Sequence, residues 1–361
     1  MTPWTSIRAG REHLVQIAAL AETHYGTADD TSHADYLAHE YFANPDGDAL
    51  VQIAWNEQTQ EADGQFAVIP RRLHVGDRSV LILKSVNTII RESRRGQGVF
   101  PALAHDVLDK VAAEGNYALS EGMPNPHSHP GFVKKLEYHD LGLLPLYVRM
   151  QRPSHLVRDF LHANALSVLA KPLDFCCRYT KDAAPPDGIT FVRLCTENLS
   201  VADQFWQQIQ HKYPIMFSRD SAFLRYRFLE NPRRSYECWY ALENGKPVAY
   251  AMGRVMTVSG MSCAMVGDFL FLNGYETVAK ALLRHLLFIL EQQGGDLAGC
   301  LMQPFTGETK ILRQLGFFVC PKFLEPQPFC VILRVLQPSE ELSAVNDFQN
   351  WFYTMGDNDI I

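Results

Sequence analysis

The stretch VNTIIRESRRGQGVFPAL, residues 86–103, decides how this chain folds. It opens as an apolar strand, passes through a basic turn with two glycines, and continues into a helix whose first turn suits Pro101. Free amides at a helix N-terminus bind phosphate groups. Gly96 and Gly98 let the backbone approach a diphosphate closely, and Arg94 and Arg95 add positive charge. The stretch therefore predicts a strand, turn and helix that bind a phosphate-bearing ligand.

Two better-known phosphate motifs do not fit this stretch. A Walker loop needs Gly-Lys followed by Ser or Thr, which is missing here. A dinucleotide fingerprint needs a third glycine, and Phe100 stands near that place. Taken alone, Gly-x-Gly at a strand-to-helix turn is a weak signal, so a tight turn with solvated arginines stays an alternative.

Hydrophobic spacing extends the alternation of strands and helices through the first half of the chain. Apolar residues recur at helical spacing in residues 13–24, 34–42 and 100–114. Apolar runs predict strands at residues 49–55, 64–70 and 79–91, the last rich in Val, Ile and Leu. The pattern predicts an α/β fold.

The sequence contains an internal repeat, which predicts a second unit of the same architecture. Residues 36–45 have a counterpart in residues 223–232, displaced by 223 − 36 = 187 positions, and residues 134–138 are echoed by 313–317. Two echoes in the same order favour duplication over coincidence. The predicted division is a first domain at 1–150, a helical linker at 151–188 with a helix at 156–169, a second domain at 189–336, and a tail at 337–361 that packs on the body.

Composition limits the partners that this chain can have. The net charge of −7 argues against nucleic acid and against an anionic membrane surface, both of which need clustered Lys and Arg. No leader or long apolar run is evident, so we expect a cytoplasmic protein. The eight cysteines form no Cys-x-x-Cys pair, so we expect reduced thiols and no metal, with long-range convergence as the one remaining route to a metal site.

The segment Arg95-Gly96-Gln97-Gly98 resembles the acyl-CoA loop of the GNAT superfamily of N-acyltransferases, although Ser93 stands where that family has Gln or Arg. The resemblance implies two tandem GNAT-like domains, each a central mixed β-sheet flanked by helices, with coenzyme A as co-substrate. In the second repeat, residues 273–277 lack the basic glycine turn, so only the first is expected to bind CoA. The CoA-binding residues that the resemblance implies are Thr88, Ile89, Ile90, Arg94, Arg95, Gly96, Gln97, Gly98, Val99, Phe100, Asn125, Phe132 and Lys135.

Two further segments are similar to bacterial acyltransferases that modify nucleotide-linked amino sugars. They are P-N-x-x-S-x-P-G-F-x-K-K-L at 124–136 and W-x-x-x-x-G-D-x-D at 351–359. This likeness implies an acetyl or 3-hydroxybutyryl donor and a dTDP-linked amino-dideoxy sugar as acceptor, for surface polysaccharide. A non-catalytic sensor of metabolites or peptides and an aminoacyl or protein N-acyltransferase remain alternatives. The oligomeric state stays open.

Acyl transfer to an amine needs a proton acceptor and polar groups that position the substrate. Glu121, Asn125 and His129 are the catalytic candidates near the turn, where Val133 replaces the tyrosine that the family often uses as acid. In the second repeat, His211, Tyr213, Arg225 and Asp268 are candidates for binding the acceptor, with helix salt bridges and packing as the competing explanation.

Overall fold

Two mixed β-sheets carry the chain, whose computed structural model describes residues 4–159, 171–175, 177–179 and 181–358. The strands, in chain order, are β1 (Thr5–Arg8), β2 (Leu50–Asn56), β3 (Glu61–Val75), β4 (Arg78–Ile90), β5 (Leu119–Gly122), β6 (His139–Leu143), β7 (Leu146–Met150), β8 (Ile189–Arg193), β9 (Ile215–Phe217), β10 (Glu237–Glu243), β11 (Lys246–Val258), β12 (Met261–Phe271), β13 (Leu297–Leu301), β14 (Phe318–Val319), β15 (Cys330–Val335) and β16 (Trp351–Phe352).

The sheets are flanked by α-helices. These are α1 (Leu14–Tyr25), α2 (Ala34–Phe42), α3 (Val99–Glu114), α4 (His129–Lys135), α5 (Pro153–Asp159), α6 (Ser200–Ile209), α7 (Ser221–Leu224), α8 (Glu276–Gln292) and α9 (Gly307–Gln314). Most of the predicted linker helix, from residue 160 onward, lies outside the described residues, as do Cys176 and residues 359–361 of the tail. None of the helices that the structure describes is both long and apolar enough to cross a bilayer.

The two sheets share one strand plan. The first has the order β1-β2-β3-β4-β5-β15-β6, with β9 paired to β3 and β16 paired to β9, and the second has the order β8-β10-β11-β12-β13-β7-β14. Each contains a central parallel pair, β4 with β5 and β12 with β13, and the first sheet also pairs β16 with β9 in parallel, whereas their other neighbours are antiparallel. The predicted mixed sheets are therefore confirmed.

The repeats exchange a strand. β7, the last strand of the first repeat, lies in the second sheet between β13 and β14, and β15 of the second repeat lies in the first sheet between β5 and β6. The predicted division of the chain into domains stays a prediction, and the two sheets share strands across it. Exchange ties the repeats together, because neither sheet is complete without the other repeat.

The 187-residue displacement appears directly in the structure. β2 and β10 begin at residues 50 and 237, and 237 − 50 = 187. The counterpart of α2 is α7 with the π-helical turn Arg225–Leu229 that continues it. Equivalent positions of this pair touch, since His39 Nε2 lies 2.8 Å from Tyr226 O and the two rings stack. The repeats therefore meet at their related helices.

Helices cover both faces of the first sheet. Ile53 and Ala67 face α1 and α2, whereas their neighbours Ala54 and Phe66 face α3. This alternation is the period of two that a strand imposes on its side chains. The tail closes the structure, because β16 pairs with β9 and buries the aromatic rings at 351–353.

Candidate functional site

A cleft opens where β4 and β5 stop pairing. The two strands are in register only from residues 83–85 and 120–122, after which β4 continues to Ile90 while β5 ends at Gly122. Two cavities lie along this separation. The turn cavity, about 470 Å³, is lined by the turn at 94–100, and the inter-repeat cavity, about 320 Å³, is lined by residues of both repeats. Thr88, Asn125 and Ser128 line both, so the cavities adjoin.

The structure brings most of the predicted CoA-binding residues to the turn cavity. Its wall includes Thr88, Ile89, Ile90, Arg94, Arg95, Gly96, Gly98, Val99, Phe100, Asn125 and Lys135. Phe132 lines the inter-repeat cavity and packs its ring against Phe100 at 5.0 Å between centroids. Gln97 lines neither, and its side-chain amide donates to Ser93 O.

The glycines of the turn are required by backbone conformation. Gly96 and Gly98 have φ of 77° and 78°, in the left-handed region that glycine adopts without strain. A Cβ at either position would meet no atom within 4 Å, so the space beside the turn is open. Among the described residues, no acceptor is found for the N–H groups of Gly96, Gly98, Val99 or Phe100. These amides lie at and just before the N-terminus of the sixteen-residue helix α3, and a helix N-terminus attracts anions.

The two arginines of the turn have different environments. Arg94 is buried, and its Nε and Nη2 atoms each lie 2.8 Å from Asp63 Oδ2. Its charge is thus already balanced inside the protein. Arg95 is exposed, with Nη2 3.3 Å from His24 Nδ1 at the rim of the turn cavity. Arg95 is the arginine whose charge a phosphate can use.

A bulge interrupts β4 at the junction of the two cavities. Asn87 and Thr88 stand opposite the single residue Phe66, and Asn87 has a φ of 48°. The bulge is held from outside, since Gln65 Nε2 donates to Asn87 O at 2.6 Å. Thr88 Oγ1 is buried, and none of the residues that the structure describes forms a hydrogen bond with it. An unpaired polar atom at this junction fits a site that binds a polar ligand.

Asn125 shapes the opposite wall of the cleft. Its Oδ1 accepts hydrogen bonds from the N–H groups of His127 and Ser128, both at 3.0 Å, and so closes the turn that precedes α4. The sequence proposed it as a residue that holds ligand or substrate, and the structure places it on both cavities.

Two of the catalytic candidates do not reach the cavities. Glu121 is fully buried and bonded to Lys84 Nζ at 2.8 Å and to the hydroxyl of Tyr353 at 3.2 Å. Burial raises the pKa of Glu121 above its usual value, with Lys84 acting in the opposite direction. His129 points to the other side of α4, where its Nε2 lies 2.6 Å from Asp140 Oδ1. Neither side chain lines the turn cavity or the inter-repeat cavity.

Asp268 belongs to an internal charge network, not to either cavity. Its Oδ2 accepts from Arg219 Nε at 2.8 Å, and the same guanidinium bonds Asp357 of the tail at 2.7 Å. Burial raises the pKa of Asp268 to about 6, a shift that Arg219 opposes and Asp357 increases. Two carboxylates thus share one buried arginine, which fastens the tail to the second sheet.

The other acceptor candidates of the second repeat also lie elsewhere. The Tyr213 ring stacks on Phe352 of the tail at 4.7 Å, and its hydroxyl donates to Glu308. His211 and Arg225 are exposed, the latter 4.0 Å from Glu230. The competing explanation, packing and surface ion pairs, accounts for all three.

Residues that the sequence reading missed complete the inter-repeat cavity. Among the described residues that line this cavity, Asp29 is the only one with a carboxylate. Tyr36 also lines it, and its hydroxyl donates a hydrogen bond to buried Glu40 at 3.2 Å. From the second repeat comes Arg234, which bonds Asp30 at 2.7 Å. A signal for Arg234 existed, since it stands two positions after the repeated Asn-Pro motif.

A third cavity, about 480 Å³, lies on the other side of Arg234, which lines both spaces. Arg193 and Arg233 are on its wall, as is Tyr236, whose buried hydroxyl has no hydrogen-bond partner within the described part of the chain. We refer to it as the distal cavity. Shared lining residues thus connect the glycine turn, past the bulge of β4, to a rim of three arginines, which are paired with the carboxylates of Asp30, Asp35 and Glu237.

Comparisons with known proteins support the fold. No protein family and no curated protein matches the chain. Among solved structures, a GCN5-related N-acetyltransferase from Anabaena variabilis matches at a TM-score of 0.61 and 14% identity, over 92% of this chain and 73% of that one. N-myristoyltransferase of Saccharomyces cerevisiae, solved with bound myristoyl-CoA, matches at 0.67 and 10%, over 94% and 84%.

A probable N-acyltransferase from Enterococcus faecalis is a further neighbour, with a TM-score of 0.57, 13% identity, and coverage of 93% of this chain and 73% of that one. At these identities the likeness concerns the fold. The chain has a GNAT-type fold with two mixed sheets flanked by helices, as the sequence predicted.

Proposed function

We propose that this chain is an acyl-CoA-dependent N-acyltransferase. The observation that carries the proposal is the turn at Gly96 and Gly98, which lines the turn cavity at the start of α3. Such an arrangement binds a diphosphate through backbone N–H groups and the helix dipole. Coenzyme A supplies that diphosphate, and Arg95 and Lys135 at the cavity wall supply countercharge.

The rest of the donor extends along the separation of β4 and β5. Its thioester then lies at the junction of the cavities, beside the β4 bulge and the unpaired Thr88 Oγ1. Hydrogen-bond donors fixed at this point stabilise the oxygen that becomes negative as the amine attacks. The inter-repeat cavity, at about 320 Å³, must take both the acyl group and the amine, which favours short acyl groups such as acetyl or 3-hydroxybutyryl.

The chemistry needs one proton acceptor on the amine side. A neutral amine forms the new N–C bond, the C–S bond breaks, and the departing thiolate takes up a proton. Asp29 replaces Glu121 and His129 as our candidate acceptor, because its carboxylate lines the inter-repeat cavity while theirs do not. Its Oδ1 is held by the N–H of Thr31 at 2.9 Å, which fixes its position.

The acceptor that we favour is a nucleotide-linked amino sugar. Such a molecule is extended, with an amine at one end and phosphates further along. The series of cavities suits this order, since the amine end fits beside Asp29 and the phosphates fit beyond Arg234, near Arg233 and the unpaired Tyr236 hydroxyl. Arginine is the side chain that recognises phosphate most specifically.

Two measurements test this function. Calorimetric titration with CoA should show binding to about one site per chain, and acyl-CoAs mixed with nucleotide-linked amino sugars should release free thiol. Replacing Asp29→Asn keeps the Oδ1 contact to Thr31 and should lower kcat by about 100-fold or more while the Kd for CoA stays unchanged. Absence of CoA binding at millimolar concentration contradicts the proposal, whereas binding without turnover of any amine identifies a sensor.

A further inference from the structure

Three side chains with metal-binding atoms converge behind α4, outside the cavities described above. They are His129, Asp140 and Cys330, whose nitrogen, oxygen and sulfur atoms all lie within 4.8 Å of one another. His129 Nε2 and Asp140 Oδ1 are 2.6 Å apart. Sequence spacing could not reveal this group, because its members are separated by up to 330 − 129 = 201 positions.

Strand exchange assembles the group. Asp140 lies on β6, and Cys330 lies at the start of β15, the strand that the second repeat inserts beside β6. A bulge between Val331 and Ile332 shifts the register of this pair next to the cysteine. His129 begins α4, which follows the turn closed by Asn125. The three ligand atoms therefore come from three elements and from both repeats.

The chemistry of the three ligand atoms favours one kind of metal ion. Calcium and magnesium prefer oxygen ligands throughout, whereas one imidazole, one thiolate and one carboxylate suit zinc. Zinc bonds of about 2.0–2.3 Å place neighbouring ligand atoms roughly 3.3–3.7 Å apart in a tetrahedron, which side-chain rotation can reach from the present separations. Three protein ligands leave the fourth position to water.

We propose that His129, Asp140 and Cys330 form a zinc site that links α4 to the exchanged strand β15. Binding replaces the thiol proton of Cys330, which passes to solvent, and the imidazole coordinates in its neutral form. Zinc favours the folded chain, because the three ligands come together only when both repeats have exchanged strands. The zinc ligands lie outside both cavities, although the turn before α4 lines them.

The test uses the full chain and two metals. Cobalt(II) titration should give the near-ultraviolet band of a thiolate-to-cobalt charge transfer and saturate at about one ion per chain. Zinc should displace the cobalt and raise the Tm. Both Cys330→Ser and His129→Ala should weaken zinc binding at least about 100-fold, since loss of even an outer-shell partner costs 10- to 100-fold. Cys195→Ser is the matched control, because this exposed cysteine lies outside the cluster.

Several results overturn the proposal. These are the absence of a charge-transfer band, a band that survives Cys330→Ser, or a band that Cys195→Ser abolishes. Should Cys330→Ser fail to fold, His129→Ala decides the matter, because His129 is partly exposed and its removal leaves the strand pairing of β15 intact. CoA binding is measured on the same variants and is expected to persist, so the zinc site and the transferase function stand or fall separately.

Discussion

The conformation of Gly98 makes a sharp prediction about CoA binding. Gly98→Ala places a methyl group in open space, since a Cβ there would meet no atom within 4 Å. The cost is conformational, because an alanine at φ of 78° is strained by about 1–2 kcal/mol. Leaving the left-handed region relieves that strain but turns the amides of Val99 and Phe100 away from the turn cavity.

The expected loss of affinity follows from those amides. A hydrogen bond to a charged group contributes about 1.5–3 kcal/mol, so losing one raises the Kd for CoA about 10- to 150-fold. Gly115→Ala is the matched control, because Gly115 ends the same helix with φ of 72° and ψ of 14°, close to the 78° and 6° of Gly98. Both variants should lose a similar amount of stability in urea unfolding, about 1–2 kcal/mol.

Calorimetry with CoA then separates the two variants. Only Gly98→Ala should bind more weakly, because Gly115 lies at the far end of α3 and outside the turn cavity. An unchanged Kd for Gly98→Ala, or an equal loss for Gly115→Ala, would refute the assignment of the turn as the diphosphate site.

Three more predictions follow from charged groups. Arg95→Gln should weaken CoA binding and its salt dependence while leaving the Tm unchanged, whereas Arg94→Gln should lower the Tm because it removes one of the two arginines, Arg91 and Arg94, that pair with buried Asp63. Lys84→Met should cost about 3–5 kcal/mol in denaturant unfolding by leaving Glu121 unpaired, and Lys84→Met with Glu121→Leu should recover most of it. Burial raises the pKa of Glu121, so the native state binds the carboxyl proton more tightly than the unfolded chain does. The stability that this proton contributes should therefore be lost as the pH rises through the raised pKa. The free energy of unfolding of Glu121→Gln, measured at several pH values, should lack this slope.

Local sequence patterns predicted much of the fold. The apolar strand, the two glycines and the helix that follows are properties of adjacent residues. They predicted the turn at Gly96 and Gly98, which lines the turn cavity in the structure. The displacement of 187 positions predicted a second unit, because a repeat in sequence is a repeat in the pattern of buried faces.

Local sequence patterns could not predict contacts between side chains that are far apart in the chain. The sequence proposed Glu121 as a catalytic candidate near the glycine turn, yet it forms a buried ion pair with Lys84, 37 positions earlier. The sequence also proposed His129, whose Nε2 lies 2.6 Å from Asp140 Oδ1 instead of at a cavity. The role of a charged side chain depends on the groups that contact it, and the tertiary structure determines which groups those are.

The sequence by itself determined the two α/β units, the strand, turn and helix at residues 86–103, and the loss of the basic turn in the second repeat. Only the tertiary structure decided that β7 and β15 change sheets, and that Asp29 and Arg234 line one cavity. The physical reason is that a strand's alternating pattern specifies which faces are buried and leaves its neighbour unspecified. Closure of both sheets selects that neighbour, and with it the residues that meet at the site.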